Sequence, residues 1–253
     1  MDYEYLIPDG THIQLRDADV LRLLEAENRS YFAPGTGYRY SNTAYVLLGL
    51  IAAAASGKDF ASFLRARIFQ PLNMQNTAAF EAGISVIAHR AFGYSHAGDS
   101  WIRTDQSLTS ATLGDGGVYS SIDDLAKWDA ALGDRRLLRP ETLELAFAPA
   151  TSTDVAAVQY GFGWRISGET RWHTGETLGF QSVILRYVAH GLTVILLTNR
   201  NDPAPYPTAL AIAGLFLATA AQAPAVLLSA GPDPGLRPLP HGARAGVTGG
   251  RKG

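Results

Sequence analysis

Apolar residues recur at helical spacing in the first half of the chain and at strand spacing in the second. Val20, Leu23 and Leu24 share one face of a short helix that Asp17 can cap. Pro34-Gly35-Thr36-Gly37 marks a turn. Residues 43–56 then carry Tyr45, Val46, Leu47, Leu48, Leu50 and Ile51 on all sides, the pattern of a buried helix, with Gly57 placed as its C′ residue. Asp59 caps a second helix with Phe60, Phe63, Leu64 and Ile68 at helical spacing, and Pro71 stops it. Ser121 with Asp124 resembles a capping box ahead of Leu125, Trp128 and Leu132, and Pro140 suits the first turn of another helix.

After about Thr153 the pattern changes. Residues 160–166, 181–188 and 192–198 are rich in β-branched and aromatic types, and Ala189-His190-Gly191 forms a turn between the last two. Leu192, Val194 and Leu196 face one way, Ile195 and Leu197 the other. Both faces are apolar, so helices are expected on both sides of this sheet, the stretch around residues 209–218 covering one. The expected organisation is a mainly helical lobe over 1–155, antiparallel strands and a C-terminal helix over 156–222, and a disordered tail over 223–253. From residue 231 on, that tail holds seven glycines, four prolines and no aromatic.

Composition narrows the function classes. The 253 residues are 47% hydrophobic and 17% charged, which suits a chain with a real core. A net charge of −2 gives no sequence-wide attraction to nucleic acid. No cysteine is present, so disulfides, thiolate metal sites and a cysteine nucleophile are excluded. The uncharged run at 203–232 is interrupted by prolines and mostly alanine at its centre, a core helix rather than a membrane span. Met1-Asp2-Tyr3-Glu4-Tyr5 shows no signal peptide, and the compartment stays open. Gly114-Asp115-Gly116-Gly117 lacks the lysine and spacing of a phosphate loop. No histidine pair has metal-binding helical spacing beside a carboxylate, so neither a metal nor a cofactor is expected.

Two segments carry a resemblance. Phe32-Ala33-Pro34-Gly35-Thr36-Gly37-Tyr38-Arg39-Tyr40-Ser41-Asn42, followed by Tyr45-Val46-Leu47-Leu48-Gly49, resembles the Tyr-x-Asn segment of the serine β-lactamase-related family. That family spans class C β-lactamases, D,D-peptidases and esterases. His173-Thr174-Gly175-Glu176 with Gly179-Phe180 is similar to its third motif, Lys/His-Thr-Gly. Phe69-Gln70-Pro71-Leu72-Asn73-Met74 and Gly116-Gly117-Val118-Tyr119-Ser120-Ser121 fall in the family order between them. Taken singly, Tyr40 reads as a half-buried tyrosine, Asn42 as a helix cap and His173 as a strand-end surface residue. The order of segments over residues 1 to about 220 is what singles them out.

The resemblance implies an α+β fold, an antiparallel sheet flanked by helices plus an all-helical lobe, with the cleft between them. It implies acyl transfer on an ester, amide or lactam in a small molecule or peptide. Tyr40 is then a proton-transfer group, effective only if positive charge lowers its phenol pKa. Asn42 orients the substrate amide or the motif lysine, while His173 and Thr174 meet the substrate's polar end. The N–H of Glu176, after Gly175, supplies an oxyanion donor. A histidine in the third motif leans the activity towards esterase or peptidase.

One element of the family pattern is missing from these residues. Three positions before Lys58, Lys127 and Lys252 stand Ala55, Asp124 and Gly249, so no Ser-x-x-Lys occurs. The expectation is a hydrolase domain lacking its nucleophile helix and opening strands, inactive as it stands. The alternative is a non-catalytic module that binds a peptide or ester, and acyl transfer to an acceptor other than water shares the same site. Such a chain is expected to leave residues 43–56 short of cover and a sheet edge open.

Overall fold

The computed structural model describes residues 2–134 and 136–217; the tail expected at 223–253 lies outside them. The fold is α+β. Its helices are α1 (Asp17–Glu25), α2 (Asn42–Ser56), α3 (Phe60–Leu64), α4 (Ile122–Ala131), α5 (Pro140–Phe147) and α6 (Pro205–Leu217). Two small antiparallel pairs join β1 (Ala78–Ala79) to β4 (Val118–Tyr119) and β2 (Tyr94–Ala97) to β3 (Ser100–Arg103). The main sheet holds β5 (Thr151–Ser152), β6 (Gln159–Tyr160), β7 (Arg165–Ser167), β8 (Thr170–Thr177), β9 (Phe180–Tyr187) and β10 (Leu192–Thr198). Its order, β10-β9-β8-β7-β6-β5, makes every strand pair with its neighbour in the chain, and β10 ends the sheet as an edge.

Local chemistry explains most helix ends. The Ser41 hydroxyl accepts from the Ala44 N–H to cap α2, and Gly57 closes it with φ 66°. Asp59 caps α3 through the Ser62 N–H, and Ser121 caps α4 through the Asp124 N–H. Asp17 departs from expectation. It is the first residue of α1 rather than its cap, buried, and its carboxylate accepts from the Leu113 and Gly114 N–H groups. The Asp124 carboxylate likewise turns inward to the Asn76 N–H, Thr77 and Lys127.

Helix α2 is apolar all round but covered on one side only. Val46 is sealed against Tyr3 and Val20, whereas Leu48 and Ile51 are exposed. Of the residues expected to be short of cover, Val46 is buried, Leu47 and Leu50 are half-buried and Ile51 is exposed. The loop 113–117 crosses α2 so closely that a Cβ on Gly114 would sit 2.5 Å from the Tyr45 carbonyl and the Val46 Cα. Only glycine permits that approach.

In the sheet, Trp172, Leu185 and Val194 pack under Tyr206, Ala209, Leu210 and Ala213 of α6. On the opposite face, Trp128 of α4 and Leu143 and Phe147 of α5 pack on Trp164, Ile166 and Ile184. That cover stops short of Ile195 and Leu197, which line a cavity instead. The stretch 160–166 is two strands, β6 and β7, around a turn in which the Gly161 N–H donates to the Trp164 carbonyl. Strand β8, whose alternation is hidden by polar residues, carries the His-Thr-Gly segment in its interior.

Candidate active site

The cavity between the sheet and the helical lobe has a volume of about 1240 Å³, and a recess of about 140 Å³ shares Tyr40, Asn42, Asp115 and His173 with it. Tyr40, Asn42, Tyr45, Asp115, Tyr160 and His173 line the recess. Tyr40 precedes the first turn of α2, held by the extended backbone that the Ser41 cap requires. Asn42 opens α2, and its side-chain N–H donates to Glu4 at 2.9 Å. His173 projects from the middle of β8, where its ring centroid lies 6.0 Å from that of Tyr40. Sequence-distant candidates therefore meet in one place.

Thr174 is buried and lines the cavity wall; Gly175 admits the Ser182 hydroxyl, which a Cβ would meet at 2.6 Å. Glu176 is exposed near the end of β8, opposite Gln181.

The electrostatics are unusual for so polar a site. Burial pushes the Tyr40 phenol up to about 12; Arg165 pulls it down and Asp115 pushes it further up. Arg165 is 2% exposed, and its guanidinium lies 6.0 Å from the centre of the Tyr40 ring. The positive charge that the sequence argument demanded is present, but burial outweighs it. Burial also pushes the Asp115 carboxyl up to about 7, against the lowering effect of hydrogen bonds from Thr112 and Tyr3, with Glu4 and Asp17 adding to the rise. The Tyr3 hydroxyl donates to Asp115 at 2.9 Å. Beside it, the Oε2 atom of Glu4 is buried without a hydrogen-bond partner. This end of the site is short of a cation.

His173 is held at both ring nitrogens. Nδ1 lies 2.6 Å from the Thr174 carbonyl oxygen, and Nε2 lies 3.1 Å from the Tyr160 hydroxyl. Tyr160 in turn shares a hydrogen bond with Tyr45, which also receives the Gly163 N–H.

Sequence reading missed Glu4, Tyr45, Asp115, Tyr160 and Arg165 as site residues. Asp115 stands inside a glycine-rich stretch, Gly114-Asp115-Gly116-Gly117, whose sequence carries no signal of a buried carboxyl. Gly114 and Gly117 serve close packing, and Asp115 is carried into the recess between them.

The family model described as Beta-lactamase matches residues 2–219, and the chain belongs to that family. It is 32% identical over 209 residues to penicillin-binding protein 4* of Bacillus subtilis (strain 168), covering 76% of this chain and 46% of that protein. It is 26% identical over 201 residues to a D-aminopeptidase of Gluconobacter oxydans (strain 621H), covering 78% of this chain and 38% of that one. The crystal structure of a penicillin-binding protein from Bacillus halodurans superposes with a TM-score of 0.73 at 25% identity, covering 85% of this chain and 67% of the other. The chain thus spans less than half the length of these two curated relatives. Among the described residues no single helix is long and apolar enough to cross a membrane.

Proposed function

We propose that this chain carries the Tyr-x-Asn and His-Thr-Gly side of a serine acyl-transfer site, completed by a Ser-x-x-Lys segment that does not occur in its 253 residues. One observation carries the reading. In a chain of this family, the recess that joins Tyr40, Asn42 and His173 also contains a carboxyl pushed up to about 7, beside an orphaned buried Glu4 oxygen. A buried acidic pair of this kind calls for a cation. A motif lysine placed there would pair with Glu4, draw Asp115 back towards its ionised form and lower the Tyr40 phenol. Tyr40 would then exchange a proton with the serine and leaving group, Asn42 would orient the lysine or substrate amide, and the Glu176 N–H would help hold the oxyanion. His173 and Thr174 would meet the far end of the substrate. The substrates are esters, amides or lactams; D-aminopeptidase and penicillin-binding relatives favour acyl groups of amino-acid type.

The absent Ser-x-x-Lys favours one rival, a module that binds such compounds without turning them over. The test extends the chain upstream through a Ser-x-x-Lys helix and measures kcat and KM on one ester substrate. Activity is expected to appear, Tyr40→Phe should then cost ~10²–10⁴-fold in kcat, and His173→Ala should act partly on KM. The 253-residue chain alone should give no stoichiometric adduct with a fluorophosphonate or penicillin. An upstream sequence with no such motif, or an adduct on the short chain, overturns the proposal.

A further inference from the structure

Asp115 reaches the recess on a loop, residues 112–117, that the Gly117 N–H closes by donating to the Thr112 carbonyl at 2.9 Å. On one side the loop rests on α2, where Gly114 meets the Tyr45 carbonyl and the Val46 Cα. Such a contact limits approach but does little to hold a loop down. On the other side stands Asp17, buried at the start of α1. Its Oδ1 atom accepts from the Leu113 N–H at 2.8 Å and the Gly114 N–H at 3.4 Å, the two N–H groups that precede Asp115 in the chain. Helix α1 is itself fixed beside the recess, because Val20 packs on Tyr3 and Val46. Tyr3 in turn donates to the Asp115 carboxyl.

The side chains around the Asp115 carboxyl are Tyr3 and Glu4 from the chain's first turn, Tyr40 and Tyr45 from the start of α2, and Tyr160 and His173 from the sheet. Asp17 acts instead on the backbone of the loop. A buried carboxylate is costly unless its oxygens are hydrogen-bonded, and these bonds reach across 96 and 97 positions of sequence rather than to the first turn of α1. Losing them would leave the Leu113 and Gly114 N–H groups to find water, and the loop would have to lift off α2 to do so. The carboxyl two bonds further along the backbone would move with it.

We infer that Asp17 is a positioning residue of the site: through the Leu113 and Gly114 N–H groups it fixes where the Asp115 carboxyl enters the recess. The placement stands on the fold alone. Its consequence for turnover rests on the acyl-transfer reading, in which Asp115 and Glu4 seat the motif lysine.

Both bonds end on one oxygen, so Asp17→Asn can remake them through its carboxamide oxygen, whereas Asp17→Ala cannot. Both variants remove the charge, and a difference between them therefore reports the hydrogen bonds. The first readout uses the 253-residue chain without substrate: the ¹³C shift of the Asp115 carboxyl followed against pH. Asp17→Asn should keep its midpoint within about half a unit of the wild type, and Asp17→Ala should lower it by about one unit or more as the loop opens to water. The Leu113 amide should exchange slowly in the wild type and in Asp17→Asn, and about tenfold faster or more in Asp17→Ala. Equal Asp115 midpoints in the two variants overturn the inference, and so does a fast-exchanging Leu113 amide in the wild type. Should Asp17→Ala not fold, Asp17→Asn decides: a slow Leu113 amide with the midpoint held supports the positioning role, and loss of either overturns it. In the chain extended through a Ser-x-x-Lys helix, Asp17→Ala should lower kcat about tenfold and leave KM within about twofold, and a change in KM alone overturns that consequence. An extended wild-type chain without activity counts against the acyl-transfer reading, while the midpoint comparison still decides the placement.

Discussion

Val194 and Leu197 lie on the same strand and on opposite faces of the main sheet, and their surroundings differ sharply. Val194 is 7% exposed beneath α6, where Trp172, Leu185 and Tyr206 close around it. Leu197 is 42% exposed and looks into the cavity. Strand β10 is equally apolar on both sides, so the alternation that specifies a two-sided sheet is intact while its cover is complete on one side only. The sealed face stabilises the molecule. The open one provides the wall of the site.

The difference can be broken by mutation. Leu185→Ala on the sealed face leaves a void that rigid neighbours cannot fill, and the loss expected is about 3 kcal/mol in chemical denaturation. A loss under about 1 kcal/mol would show that α6 relaxes onto the sheet.

Asp115 sharpens the contrast from the cavity side. Burial pushes its carboxyl up to about 7 from the ordinary 3.8, so the folded chain keeps a proton that the unfolded chain releases between those values. This group therefore favours folding at low pH, and its contribution falls as pH rises from about 4 to about 7. Asp115→Asn should remove that slope and make the chain more stable than wild type at pH 8 by on the order of 1–3 kcal/mol. Urea midpoints taken from pH 4 to 8 on both proteins decide it, and parallel curves would mean that Asp115 is ionised throughout.

Leu197→Ala should be the mildest change, within about 0.5 kcal/mol of wild type, since the side chain packs on little. Its effect should appear in association instead. With β10 at an edge and apolar side chains facing the cavity, the wild-type chain is expected to self-associate at high concentration. Leu197→Thr should weaken this in sedimentation velocity. A wild-type monomer at all concentrations would mean that the open face is closed in solution.

These regions were not equally legible in the sequence. The caps at Asp59 and Ser121, the C′ glycine at Gly57 and the strand at 192–198 are local signals, and the structure places them where the pattern does. Strand β8 was missed because Arg171, His173 and Glu176 interrupt the apolar alternation that identifies strands. Asp17 looked like a cap because cap chemistry is the commonest use of an aspartate before an apolar run. Here the carboxylate serves a loop distant in sequence, which no local pattern encodes. Tyr40, Asn42 and His173 were found through a resemblance, while Glu4, Asp115 and Tyr160 enter the recess through packing that only the folded chain reveals.

The order of strands in the main sheet also bears on how the molecule forms. Each pairing in β5–β10 joins neighbours in the chain, so only short loops must close before the sheet can grow. The recess is different: Tyr3 reaches Asp115 across 112 positions of sequence. Contacts of such high order are the slow ones to make, so the sheet should be protected from hydrogen exchange well before the Tyr3–Asp115 end. The half of the chain that carries His173 can thus acquire its shape early, and the partners it faces arrive late.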